Sequence, residues 1–487
     1  MTFPISDIIT RLKPKEIIGP KDISIEGVCI DSRKVQPGFL YAAMPGTIAD
    51  GHDFIAKAIE SGATAILAKR IENPQPGILY MLVEDVAESM GIACHLYFGE
   101  PTQKLKLVGT TGTNGKTTVS TLLFELFSAL GHRCGLISTV ENRIGSEVIP
   151  STHTTPDAAG LNGLLARMVE AGCEYCFMEC SSHAIHQRRI AGLEFTGGIF
   201  TNLTHDHLDY HQTFDYYLKA KKQFFDSLPS TAWSLTNKDD RNGMVMLQNT
   251  RSARYTYAMK SGADFTVKIL ESDFQGMQLR IDGKEAWVNM VGNFNAYNLA
   301  AVYGAAFLLT QGEQDIILPL TRLGRVNGRF EAIHGTERVT AIVDYAHTPD
   351  ALENVIKTIN EIRGNHAQLI TVVGCGGNRD AVKRPEMGRI AARLSSKVIF
   401  TSDNPRDEDP EIIIQEMEAG VEGQFYKKTL KITDRKEAIR TAVMLAAPGD
   451  VILIAGKGHE TYQEIKGVKH PFDDKAVIQA LFNSINP

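Results

Sequence analysis

Cysteine is scarce in this chain. Seven among 487 residues is an odd and small number, which excludes the disulfide framework of a secreted scaffold and suits a reducing compartment. No apolar run approaches the roughly 20 residues that span a bilayer. The opening MTFPISDIITRLKPK lacks the continuous apolar core of a signal peptide. Positive charge is not in excess either: a net charge of −6 gives no basis for gripping nucleic acid or an anionic membrane surface. These absences predict a cytoplasmic protein with no membrane insertion and no nucleic-acid partner. Apolar material, by contrast, is plentiful at 43% of residues, and the length implies on the order of two to four domains.

The most informative stretch is Leu105-Lys106-Leu107-Val108-Gly109-Thr110-Thr111-Gly112-Thr113-Asn114-Gly115-Lys116-Thr117-Thr118. An apolar run breaks into glycines and hydroxyls, then a lysine. Val119, Leu122, Leu123, Leu126, Phe127 and Leu130 follow at helical spacing until Gly131. Strand, Gly-rich turn and helix N-terminus make a phosphate cradle, in which Lys116 reaches the terminal phosphates and Thr117 a magnesium ion. Thr110 stands where the strict pattern wants glycine, with Gly109 and Gly112 on either side.

Ahead of it, residues 1–100 read as mixed strands and helices. The strand Val28-Cys29-Ile30 leads into Asp31-Ser32-Arg33, and Phe39–Ala43 leads into the Thr47–Asp50 loop. Both loops read equally well as plain turns or as binding loops. A helix near 52–61 and a strand at 65–68 follow.

Beyond the phosphate loop, Asp157 reads as a helix cap or a ligand-facing carboxylate. The run CEYCFMEC carries Cys173, Cys176 and Cys180, which strand alternation would scatter over both faces, so buried thiols are expected. It ends in Glu179, placed at a strand end where a parallel α/β sheet holds a metal ligand or an edge carboxylate sits in water. The strand 198–203 ends in Thr204-His205-Asp206-His207-Leu208-Asp209-Tyr210-His211. Ligands packed so closely favour an oxygen-bound magnesium with one imidazole over zinc. The lysines of YLKAKKQFF read as a solvated helix face. Asn237-Lys238-Asp239-Asp240 fits a guanine-reading motif, which keeps a GTP-binding switch as the rival class. The stretch Gly292–Asn298 opens a helix at 299–309, and Asn295 and Asn298, three apart, present both amides to a purine edge from one helical face.

After Glu331 the chain alternates strands and helices. Four apolar strands, at 341–343, 369–373, 398–400 and 451–455, each empty into a polar loop. That is the doubly wound α/β pattern, with ligands collecting at the carboxyl ends of the strands.

Together GTTGTNGKTT, MECSSH, TNLTHDHLDYH, YLKAKKQFF, GNFNAYNLAA, NGRFE, DYAHTPD, DNPR and GKGHE, in that order, resemble the Mur ligases over nearly the whole chain. The resemblance implies three α/β domains: 1–100 for the UDP-substrate, a central P-loop ATP-binding domain at 101–331, and a Rossmann-like amino-acid domain at 332–487. It implies ATP on Gly112, Thr113, Asn114, Gly115, Lys116, Thr117, Thr118, Asn295, Asn298 and Arg329. Magnesium would sit on Thr117, Glu179 and His207, with Lys221 as a CO2-derived carbamate (N6-carboxylysine) holding a second ion. UDP-MurNAc-L-Ala-D-Glu would meet Ile30, Ser32, the Thr47–Asp50 loop, His153, Thr154, Thr155, Ser181, Gln187 and Arg189, although relatives often have asparagine at the position of His153. The implied activity is that of a monomeric ligase that joins meso-diaminopimelate to the γ-carboxylate of D-Glu through an acyl phosphate. Lysine-adding ligases and folylpolyglutamate synthetase share this logic. Diaminopimelate would meet Arg379, Asp403, Asn404, Pro405, Arg406, Gly456 and Glu460. The planar fork of Arg406 suits the distal carboxylate that lysine lacks.

Overall fold

The structure is a computed structural model that describes residues 2–46, 50–151, 153–312, 314–324, 326–335, 339–364 and 366–485. Three sheets organise it. The first has five strands in the order 16–18, 79–82, 65–68, 39–42 and 27–29, parallel except at the Glu16–Ile18 edge. Ile30 falls one residue beyond its strand. Thr47, Ile48 and Ala49 of the expected binding loop lie outside the described residues.

The second sheet has eleven strands. Lys106–Thr111 lies at its centre, between Tyr175–Glu179 and Gly197–Phe200, all three parallel. The chain crosses from one side of Lys106–Thr111 to the other, which makes its carboxyl end a topological switch point where such sheets bind ligands. Leu107 and Val108 are wholly buried because helices cover both faces of the sheet. The helix Lys116–Ala129 sits on one face and Phe214–Asp226 belongs to the core on the other.

Three expectations are corrected here. The third strand spans Gly197–Phe200 rather than 198–203. The helix expected at 299–309 runs Asn293–Thr310, with Gly292 at φ 96° turning the chain into it, so Asn295 and Asn298 lie within the helix. Cys173, Cys176 and Cys180 are buried free thiols as expected, but they share one core rather than dividing between faces. Cys173 and Cys180 lie off the ends of the strand, where alternation does not bind them.

The third sheet runs 331–334, 340–344, 451–455, 369–373, 397–400 and 429–431, all parallel but its first strand. Its four apolar strands are those read from the sequence, and their polar loops gather at one edge. Thr348 caps the helix Pro349–Ile362 through the Ala351 amide, with Pro349 at its first position.

Candidate active site

The phosphate loop faces the third sheet. Gly115 adopts φ 88°, and a Cβ there would lie 2.5 Å from Asn298 Oδ1, so the loop needs glycine at this point. Lys116 Nζ folds back to donate to the carbonyls of Gly112 (2.9 Å) and Thr113 (2.8 Å). Burial holds its amine below the ordinary lysine range. Thr113 Oγ1 donates to the Thr204 carbonyl. Two contacts reach across to the third sheet's side: Arg329 Nη2 donates to Thr117 Oγ1 at 3.1 Å, and Asn114 Nδ2 donates to Asp350 Oδ2 at 3.1 Å.

Beside the loop stand Glu179, His207 and Lys221. Glu179 ends its strand opposite Thr110, is 1% exposed, and accepts from the Thr139 amide at 2.7 Å. It is therefore no edge carboxylate in water. Burial pushes the His207 imidazole down to about 3, so it is a neutral nitrogen donor at pH 7. Lys221 is not on a solvated face. It is buried, donates to the Gly112 carbonyl at 2.8 Å, and its amine is held well below the usual range by burial and by Lys116. Lys219 is the exposed lysine of this helix, paired to Asp215. A carboxylate, a hydroxyl and a neutral imidazole next to a phosphate cradle are a donor set that fits magnesium. The clustered histidines diverge: His205 reaches Asp380, His207 reaches Asp206, and His211 reaches Ser182.

A cavity of about 590 Å³ opens on the other side of the loop, lined by Asn114, Gly115, Thr118, Asn295, Asn298 and Arg329 among others. Asn298 Nδ2 donates to Asn295 Oδ1, and Asn295 Nδ2 to the Val291 carbonyl, so the two amides brace each other at its wall. Asp240, the acid of the guanine-like motif, is committed to the amides of Leu203 (3.0 Å) and Asn242 (2.8 Å). Reading guanine would require giving those bonds up, which counts against the GTP reading.

The larger cavity, about 780 Å³, joins both halves of the site. From the central sheet come Thr113 to Thr117, His153, Thr154, Thr155, Glu179, Ser181, Arg189, His207 and Lys221. From the third sheet come Arg379, Asp403, Asn404, Arg406, Gly456 and Glu460. Arg189 donates to the Thr155 carbonyl and to Gln187 Oε1, so Gln187 supports the wall without lining it. Ser181 caps its helix through the Ala184 amide, and Asp157 caps another through the Gly160 amide. Pro405 is buried and does not line this cavity. Arg406 itself has φ 52°, and its side chain donates to Glu464 Oε2 (3.2 Å) and the Gly377 carbonyl (2.7 Å). Ile30 and Ser32 line neither cavity, and the structure does not bring them to this site.

The sequence reading missed the charge beneath these loops. Lys457, wholly buried, donates to Asn404 Oδ1 and Glu460 Oε2, each at 3.0 Å. Arg435 and Asp474 form a fully buried ion pair at 2.7 Å, and Arg435 also donates to the Ala455 carbonyl, next to Gly456. Gly456 has φ 117°, and a Cβ there would lie 2.5 Å from Asp403 Oδ2. Apart from its place in the Gly-Lys-Gly-His-Glu loop, nothing local marked Lys457.

A phosphate loop that shares one cavity with the carboxyl-end loops of the third sheet marks an enzyme that brings a nucleotide to a further substrate. Family models match in series: "Mur ligase family, catalytic domain" at residues 24–98, "Mur ligase middle domain" at 110–306 and "Mur ligase, glutamate ligase domain" at 328–458. The chain belongs to the Mur ligase family, whose members are ATP-dependent ligases. The UDP-N-acetylmuramoyl-L-alanyl-D-glutamate–2,6-diaminopimelate ligase of Bacteroides fragilis is 55% identical over 480 residues, covering 98% of this chain and 99% of its own. The protein of the same name from Cytophaga hutchinsonii is 52% identical over 483 residues, covering 99% of each. A solved structure of a ligase of that name superposes with a TM-score of 0.69 at 32% identity, covering 100% of both chains.

Proposed function

We propose that this chain joins meso-diaminopimelate to the γ-carboxylate of D-glutamate in UDP-MurNAc-L-Ala-D-Glu, at the expense of ATP, to build a peptidoglycan precursor. The observation that carries this reading is the single cavity running from Lys116 and Thr117 to Asn404, Arg406 and Glu460.

ATP lies along the phosphate loop, with its base in the cavity walled by Asn295 and Asn298. Thr117, Glu179, His207 and Lys221 as its carbamate would hold magnesium, which when bound neutralises phosphate charge. Burial and the nearby Lys116 hold the Lys221 amine well below the usual lysine range, which favours the neutral form that takes up CO2. Thr154, Thr155, Ser181 and Arg189 orient the muramyl dipeptide, its UDP end directed toward Ile30 and Ser32. The γ-carboxylate attacks the γ-phosphorus, giving an acyl phosphate and ADP. Lys116 and the helix-end amides stabilise the charge that spreads over the phosphoryl group. Arg379, Asp403, Asn404, Arg406, Gly456 and Glu460 hold the incoming amino acid so that its amine displaces phosphate. Domain divisions at residues 100 and 331 place one substrate on each unit, and closure between them aligns the three. The reading describes a monomer acting in the cytoplasm, and no helix among the described residues is long and apolar enough to cross a membrane.

The test is product analysis by mass spectrometry. UDP-MurNAc-L-Ala-D-Glu is expected to gain one diaminopimelate by an amide bond for each ADP and phosphate formed. ATP consumed without amide product would overturn the reading.

A further inference from the structure

Lys383 is the first residue of the helix Lys383–Leu394 and lines the larger cavity. It is 7% exposed, and among the described residues its side chain makes no hydrogen bond and no ion pair. A lysine in the first turn of a helix also faces the positive end of the helix dipole. Its neighbour Arg384 shows the contrast, buried but paired to Glu408 (2.8 Å) and Glu416 (2.6 Å). A lysine with no carboxylate within pairing distance, at the positive end of a helix, leaves its N–H groups open to an anionic ligand.

The position narrows the ligand. Lys383, Lys116 and Asp206 line the same cavity, and the charges of both lysines favour the ionised Asp206 carboxylate. The oxygens of Asp206 are already engaged by the His207 amide (2.9 Å) and ring (3.3 Å). Lys383 thus shares one cavity with the phosphate loop and with the amino-acid loops of the third sheet.

We propose that Lys383 is a further catalytic residue whose ammonium binds the non-bridging oxygens of the phosphoryl group in transit from ATP to the substrate carboxylate. The proposal rests on the ligase reading above. In that step a carboxylate oxygen bonds to the γ-phosphorus, the bond from that phosphorus to the β,γ-bridging oxygen breaks, and its electron pair leaves on ADP. Lys383 donates N–H bonds throughout and transfers no proton. Because it belongs to the third sheet's unit, phosphoryl transfer depends on that unit being in place before the amino acid reacts.

The test compares wild type with Lys383→Gln and Lys383→Arg, measuring single-turnover ADP formation from ATP and UDP-MurNAc-L-Ala-D-Glu without amino acid. Lys383→Gln is expected to slow it about a hundredfold, in line with loss of one transition-state donor. ATP affinity by calorimetry is expected to stay within about threefold, since ground-state binding rests mainly on the phosphate loop. Lys383→Arg is expected to recover at least about tenfold of the loss by keeping the charge. The melting temperature of Lys383→Gln is expected to match or exceed wild type, because no native partner is lost. A single-turnover rate within about threefold of wild type, a defect confined to KM for the amino acid, or a Gln variant that unfolds would each overturn the proposal. Wild type that forms no ADP even when meso-diaminopimelate is added would overturn the ligase reading itself, whereas an active wild type beside an unimpaired variant would overturn the role of Lys383 alone.

Discussion

Lys221 Nζ donates to the Gly112 carbonyl at 2.8 Å, which places a buried lysine of one helix against the first turn of the phosphate loop. The pair is informative because burial and Lys116 together drive the Lys221 amine toward its neutral form. A neutral amine is the form that adds CO2, and the resulting carbamate would carry negative charge to the phosphate end of the cavity.

The first prediction follows. Lys221→Ala is expected to lose about a hundredfold or more in kcat and to regain part of it with short-chain carboxylates that fill the vacated space. Steady-state assays with and without added formate or acetate check this. Wild-type turnover in the variant would show that the carbamate has no part in the reaction.

Lys116→Ala is expected to abolish ATP turnover while leaving affinity for the UDP-substrate within about threefold, because the two ligands use different contacts. Calorimetry with each ligand separately is the check. Parallel collapse of both affinities would point to misfolding or a shared site.

Arg406 offers a third prediction. Two of its nitrogens are engaged by Glu464 and Gly377, and Nη2 donates to nothing among the described residues. Arg406→Ala is expected to cost about 1.5–3 kcal/mol in discrimination, roughly ten- to a hundredfold in the diaminopimelate-to-lysine ratio of kcat/KM. An unmoved ratio would mean that Arg406 does not read the distal carboxylate.

Stability is expected to fall on the acid side. Burial pushes the imidazole of His347 down to about 4 and that of His459 to about 3. In the unfolded chain both titrate near about 6.5, so below that pH the unfolded state binds more protons than the folded one. The stability present at neutral pH is therefore lost as pH falls from about 6.5 toward 4, by up to about 1.4 kcal/mol per unit for each group. Urea unfolding at about pH 7.5 and about pH 5 is expected to show a smaller loss in His347→Gln than in wild type. Equal losses would contradict the assignment.

Much of this architecture was legible in the residues. The phosphate loop announces itself locally, through glycines, hydroxyls and Lys116 between a strand and a helical pattern. The third sheet was equally plain, because each of its apolar strands ends in a polar loop. What stayed hidden was long-range. Asn404 donates to Glu460 at 2.8 Å although they are fifty-six residues apart, and no local pattern encodes that pairing. A lysine between glycines reads as a loop cation, and only the fold shows Lys457 buried beneath two carboxylates. Gly292 turns the chain into the helix six residues ahead of its apolar run, so Asn295 and Asn298 share the helical face that their spacing of three implies.

The most direct measurement is phosphate release by the wild-type protein with ATP and UDP-MurNAc-L-Ala-D-Glu against a panel of amino acids. Release that requires all three substrates, with meso-diaminopimelate giving a kcat/KM about tenfold or more above L-lysine, is the predicted result. Preference for lysine, or release independent of any amino acid, would contradict the account.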